Sequence, residues 1–345
     1  MSSEHREHLL PSTSTTPKDG RPTTQDNESV RTKYAWLALY FSLNLALTLY
    51  NKFVMTKFPF PYLLTGIHAL CGTLGCAFFY SRGAFTLTRL TDRENLTLVL
   101  FSFLYTINIA ISNVSLNLVT IPFHQIVRAM TPFFTVIIYR VFFGKTYSRA
   151  TYTSLIPVVA GVGFATAGDY YFTALGFLLT LFGAFLAAVK TVVTNRIQTG
   201  RLKLSPLELL YRMSPLAFLQ TLIWAYLTGE FSAISGWVET SMTQKDLINL
   251  FINGCIAFAL NVISFTANKK TGALTMTVAA NVKQILTIVL SMLFWNLKAT
   301  GMNTFGIVMT LCGGAWYAKV ELEQKSKPGA AAAQQTVPLT GVKSG

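Results

Sequence analysis

The chain has 345 residues, of which 52% are hydrophobic and only 12% charged, and its mean hydropathy is +0.45. Soluble domains carry about twice that charged fraction, so an assembly of water-soluble domains is excluded although the length would hold one. The net charge of +14 would suggest nucleic acid in a soluble protein. Here most Lys and Arg lie in short loops between apolar blocks, which argues against a nucleic-acid partner and for a lipid bilayer.

In chain order, residues 1–32 are rich in Ser, Thr, Glu, Arg and Pro, lack an apolar core, and read as a disordered cytosolic tail. Ten blocks of about 20 mostly apolar residues follow, each long enough to cross a bilayer as a helix. They are 34–54, 61–80, 96–118, 121–143, 149–167, 172–195, 207–228, 247–268, 273–295 and 301–319. The runs are too long and too continuous for barrel strands. Residues 321–345 read as a second disordered cytosolic tail. The expected fold class is therefore an all-α membrane protein with one ten-helix domain over 33–320. Cys71, Cys76, Cys255 and Cys312 fall inside apolar blocks without a CxxC spacing, so neither a disulfide framework nor a metal is expected.

Loop charges give the orientation. With both tails cytosolic, 19 of the 28 Lys and Arg fall on the cytosolic side, and only Lys52, Lys57, Lys245 and Lys298 on the other. The positive-inside rule then places both termini in the cytosol. The sequon at Asn95 would also be cytosolic and unmodified.

The two halves echo each other. Val127-Arg128 in the fourth block matches Val282-Lys283 in the ninth, and each is followed by a glycine-bearing block, with Gly161 and Gly163 in one and Gly313 and Gly314 in the other. This predicts repeats over 33–168 and 172–320. Five spans per repeat invert the second copy, a plan of secondary transporters that puts substrate near the midplane.

Five cations fall within spans, namely Arg128, Arg140, Lys190, Arg212 and Lys283, and no Asp or Glu lies well inside one. A charge at the bilayer centre costs at least about 2.5–3.5 kcal/mol, so it marks a pathway or a site. Arg140 is close enough to a helix end to snorkel, while Lys190 and Arg212 fit either snorkelling or a site. Arg128 and Lys283 are deep, and they are the expected anion ligands. Without buried carboxylates, and with His68 and His124 as the only span histidines, exchange of anions is favoured over proton symport. Tyr105, Asn108, Ser112 and Ser115 share one helix face and could form a second wall.

The stretch from Asn108 to Pro132, Gly144-Lys145-Thr146, Ser154 to Pro157, Leu49-Tyr50-Asn51-Lys52 and Leu210-Tyr211 resemble the triose-phosphate translocator and nucleotide-sugar transporter group of the drug/metabolite transporter superfamily. The resemblance spans roughly 34–320. It implies that superfamily's fold, two inverted five-helix halves and alternating access. Arg128 matches the helix-4 phosphate Lys of plastid members, and Lys283 matches the Lys of their Lys-Arg pair, whose Arg is replaced by Gln284. Ala279-Ala280-Asn281-Val282-Lys283 is similar to the helix-9 motif of Golgi nucleotide-sugar carriers without matching it.

The resulting expectation is an antiporter in the Golgi or ER membrane that exchanges a nucleotide sugar for a nucleoside monophosphate. The alternative is a sugar-phosphate or phosphoenolpyruvate exchanger with phosphate as counter-anion. Arg128, Lys283, Lys190, Asn281, Tyr105, Asn108, Gln284 and His124 are the expected substrate-binding residues. No enzyme activity and no cofactor are expected, and a homodimer would fit as well as a monomer.

Overall fold

The computed structural model describes residues 24–169, 172–295 and 300–326. Over these the chain is all helical: α1 (Thr24–Met55), α2 (Pro61–Ser81), α3 (Asp92–Leu118), α4 (Ile121–Arg128), α5 (Thr131–Phe143), α6 (Arg149–Ala167), α7 (Ala174–Thr199), α8 (Pro206–Leu227), α9 (Glu230–Ser241), α10 (Gln244–Thr271), α11 (Ala273–Trp295) and α12 (Gly301–Ser326).

Local signals set the ends. Ser148 and Ser205 accept N–H bonds as N-caps of α6 and α8, and Thr91/Glu94 and Thr243/Asp246 form capping boxes on α3 and α10. Gly144, at φ 60°, ends α5 in the left-handed conformation that costs glycine little.

Six helical segments are long and apolar enough to cross a membrane: Pro61–Ser81, Asp92–Leu116, Ile121–Phe143, Arg149–Ala167, Ala174–Thr199 and Gln244–Thr271. Large apolar side chains such as Leu74, Phe142, Ile156, Leu175 and Phe251 point outward, a surface suited to lipid. The chain is a membrane protein.

The helices differ from the sequence reading in four main respects. The fourth block is broken into α4 and α5, because Pro132 in the first turn of α5 cannot donate to the ladder. A short helix, α9, forms after α8 over a stretch expected to be loop. Residues 24–32, expected to be disordered, continue α1 downward, and α12 runs on to Ser326; once a helix is nucleated, adding polar helix formers to it is inexpensive. The rest of both expected tails lies outside the described residues.

Contacts define two ends of the bundle. At the upper end, the Glu230 carboxylate of α9 accepts the Tyr62 and Leu63 N–H groups that open α2, at 3.0 and 2.8 Å. Trp237 Nε1 donates to the Lys57 carbonyl there. At the lower end, Glu208 of α8 accepts from Thr88 N and Arg212 Nη2, and Arg212 also donates to the Thr88 carbonyl. Helices close-pack where side chains are small. Gly161 of α6 and Gly306 and Gly313 of α12 lie against the facing backbone, and Asn303 Nδ2 donates to the Ala165 carbonyl at 2.8 Å. Gly72 and Gly66 of α2 meet the side chains of Ser214 and Thr221 of α8.

Candidate anion-binding site

The break between α4 and α5 builds the centre of the site. Pro132 leaves the Arg128 carbonyl without its usual N–H partner, and the Thr131 hydroxyl takes it at 2.6 Å. The helix therefore stops with Arg128 in its last turn, where a cation is favoured by the helix dipole. From α3, Ser112 Oγ accepts Arg128 Nη1 at 2.9 Å, and Ser115 Oγ donates to the Ser112 carbonyl at 3.0 Å.

Two lysines converge on this arginine. Lys190 of α7 and Lys283 of α11 both lie within Coulombic reach of Arg128. Lys190 Nζ also sits 4.9 Å over the centre of the Tyr105 ring, a cation–π contact. All three cations are half-buried. Among the described residues none of them has a carboxylate partner; Glu94, Glu208 and Glu323 pair instead with Arg201, Arg212 and Lys319. Three like charges held together in a low-dielectric interior repel unless an anion joins them. An arginine fork and two ammonium groups suit a phosphate or diphosphate.

The remaining expected residues divide. His124 is buried beside Arg128 and Ser112, and neither ring nitrogen makes a well-formed hydrogen bond. Gln284 is buried with an unpartnered Oε1. Asn108 donates to the Gly183 carbonyl at 2.9 Å, so its amide ties α3 to α7. The Asn281 side chain lies outside the described residues. Arg140 is exposed. Arg212 pairs with Glu208 at 3.0 Å, which removes it from the centre.

Next to the cations lies a cavity of about 290 Å³ between α1, α2, α3, α8 and α10. Tyr105 belongs to its wall, so one aromatic ring borders both the lysine and the cavity. Among the described residues the lining holds no Lys, Arg, Asp or Glu, and its polar groups include Asn51, His68, Asn113, Ser214 and Asn261. His68 is hydrogen-bonded to Asn253, whose Nδ2 donates to Asn51 Oδ1 at 2.7 Å. The sequence reading placed none of these asparagines in the site. The available signal was the repeated occurrence of primary amides inside apolar spans, where a polar group needs a partner or a cavity.

An all-α membrane bundle with clustered, carboxylate-free cations beside a mainly apolar cavity that carries uncharged polar groups fits a membrane carrier for a solute. The chain belongs to the Triose-phosphate Transporter family, whose model matches residues 33–318, and it is a transporter, not an enzyme. Similar curated proteins include the GDP-mannose transporter GONST5 of Arabidopsis thaliana, 27% identical over 84% of this chain and 86% of that one. UDP-galactose transporter 1 of the same plant is 28% identical over 81% and 84%. A probable sugar phosphate/phosphate translocator is 26% identical over 84% and 96%. A solved crystal structure shares the fold with a TM-score of 0.56 at 14% identity, covering 87% of this chain and 99% of that one.

Proposed function

We propose that the protein is an antiporter that carries a nucleotide sugar into the Golgi or ER lumen and returns a nucleoside monophosphate. The observation that carries this reading is the convergence of Arg128, Lys190 and Lys283 without a carboxylate. An anion must complete such a site, and a second anion is the natural occupant for the return step. The neutral cavity beyond Tyr105 favours a substrate with a large uncharged end over a bare triose phosphate. Similarity to named carriers of GDP-mannose and UDP-galactose points the same way. The lower end bears the loop cations and is assigned to the cytosol, together with both termini.

The architecture we propose is ten spans over 33–320 in two inverted repeats, counting α4 and α5 as one span and leaving α9 at the upper surface. Helix contacts support it. Exchanging each helix with its partner five spans later turns the α3–α7 contact into α10–α1, the α3–α8 contact into α10–α2, and the α2–α8 and α6–α12 contacts into themselves, and all of these contacts are present.

The test is exchange in proteoliposomes preloaded with nucleoside monophosphate or with phosphate, screened against labelled nucleotide sugars and sugar phosphates. Uptake of a nucleotide sugar only into monophosphate-loaded vesicles is expected. Exchange restricted to sugar phosphate and phosphate, or no exchange of any anion by well-inserted protein, overturns the assignment.

A further inference from the structure

The repeat is obeyed by most helix contacts but broken at a few, among them the α8–α10 contact, whose α2–α3 image is not comparably formed among the described residues, and the contacts of α7. The lower half of α7 is joined to α10 and α11, and α7 also packs on α4 and α5. Its repeat partner α1 touches α10 and α11 but, among the described residues, has no comparable contact with α3 or α4. The lower end is thus drawn together where the upper end is parted, and the cavity opens in the parted half, lined by Leu47, Asn51, Met55 and Leu64.

At the lower end the junction is a reciprocal pair of amides. Asn195 Nδ2 of α7 donates to the Asn268 carbonyl of α10 at 3.0 Å, and Asn268 Nδ2 donates back to the Thr191 carbonyl at 3.2 Å. Asn268 is buried. Arg196 covers this junction, 4.1 Å over the Phe143 ring, and Tyr139 Oη reaches Asn195 Oδ1 at 3.5 Å.

Both asparagines have counterparts in the first half. Asn195 stands four residues before the end of α7 and is followed by Arg196; Asn51 stands four residues before the end of α1 and is followed by Lys52. Asn268 lies fifteen residues before Lys283, and Asn113 lies fifteen residues before Arg128. The counterparts are not joined. Both line the cavity; Asn51 accepts from Asn253, and Asn113 has no side-chain partner among the described residues.

We infer that Asn195–Asn268 and Asn51–Asn113 are the two leaves of one gate, closed alternately at the lower and upper ends. This rests on the two-repeat architecture proposed above. In the state with the upper end closed, Asn51 Nδ2 donates to the Asn113 carbonyl and Asn113 Nδ2 to the Leu47 carbonyl, the repeat image of the bonds seen below. Asn253 releases Asn51 as that pair forms.

Cysteine pairs in the full-length protein, reconstituted in liposomes with the four native cysteines replaced by serine, test this. Asn195→Cys with Asn268→Cys, and separately Asn51→Cys with Asn113→Cys, should each cross-link under copper-phenanthroline oxidation. With all four cysteines present, one molecule should carry one cross-link or the other. Both cross-links in a single molecule, or failure of either pair to cross-link in protein that elutes monodisperse, overturns the gate. A gentler readout uses Thr65→Cys in the cavity wall, labelled by a membrane-impermeant maleimide from the upper side. Asn268→Ala should lower its labelling and Asn113→Ala raise it, each by about threefold for the loss of a buried membrane hydrogen bond; shifts in the same direction, or none, overturn it. Neither readout needs a transported substrate. Positive cross-links with no anion exchange would remove the substrate assignment and leave the gate, and the reverse pattern would remove the gate alone.

Discussion

Arg128 shows how much one side chain can depend on its neighbours. Its guanidinium is anchored by Ser112, its carbonyl is taken by Thr131, and its helix stops because of Pro132. Arg128→Ala should weaken ligand binding about 10- to 100-fold, the loss of a charge-assisted contact of roughly 1.5–3 kcal/mol, as read by titration calorimetry with the transported nucleotide. Arg128→Lys should recover only part of this, because an ammonium cannot make the two-pronged contact. Ser112→Ala should cost about fivefold, roughly 1 kcal/mol for a neutral hydrogen bond that orients the fork. If Ser112→Ala and Arg128→Ala lower affinity equally, Ser112 is doing more than orienting.

Residues of this kind were unevenly legible in the sequence. Arg128 and Lys283 stood out because a cation deep in an apolar run is too costly to keep unless a pathway or a site uses it. Arg212 was ambiguous, since an i,i+4 partner at a helix end looks the same whether or not it bonds; the structure joins it to Glu208 and Thr88. Asn108 lay on the right helix but gave its amide to a backbone carbonyl of α7. Periodicity locates a face of a helix, not which neighbour that face meets. The cavity asparagines were passed over because a neutral amide carries no charge anomaly to notice.

Among the elements, the α6–α12 pair is the most tightly fitted. A Cβ at Gly161 would come within 2.6 Å of Thr310 N, and one at Gly313 within 2.8 Å of Val158 N, whereas Gly163 and Gly314 have nothing within 4 Å. Backbone atoms cannot yield as a side chain can. Gly161→Ala and Gly313→Ala should each destabilise by about 1–3 kcal/mol, and Gly163→Ala and Gly314→Ala should not, in a thermal unfolding series in detergent. The helical spans were readable because long apolar runs admit few structures in a bilayer. The split of α4 from α5 was not, since a proline permits a kink without dictating a break.

α9 adds a pH dependence with a defined sign. Burial pushes the Glu230 carboxyl above the ordinary glutamate range, and the Tyr62 and Leu63 N–H bonds offset this only in part. A carboxyl raised in the folded state favours its neutral form there, so Glu230 costs stability as pH rises from the unfolded value, about 4.3, through the folded one. Glu230→Gln imitates the protonated form. The melting temperature of Glu230→Gln relative to the parent should therefore increase from acid to neutral pH; a difference that stays flat or falls would show that the two N–H bonds dominate.

At the scale of the whole molecule, the proposed orientation rests on the loop charges. On a cysteine-free background in sealed microsomes, Ser81→Cys at the lower end should react with an impermeant maleimide added outside, and Gly236→Cys on α9 should react only after permeabilisation. The opposite pattern would invert the proposed topology.

The three unneutralised cations also have an electrical consequence. If the vestibule opens alternately at the two ends, as proposed above, the membrane field falls first on one side of these charges and then on the other. An unloaded carrier would have to move several elementary charges through the field to turn over, at about 2.3 kcal/mol per charge per 100 mV, which opposes return without an anion. A carrier loaded with a multivalent anion moves almost none. Applied voltage should bias the resting carrier toward one face while leaving the loaded exchange step nearly indifferent, and capacitive currents on supported membranes should shrink as substrate is added.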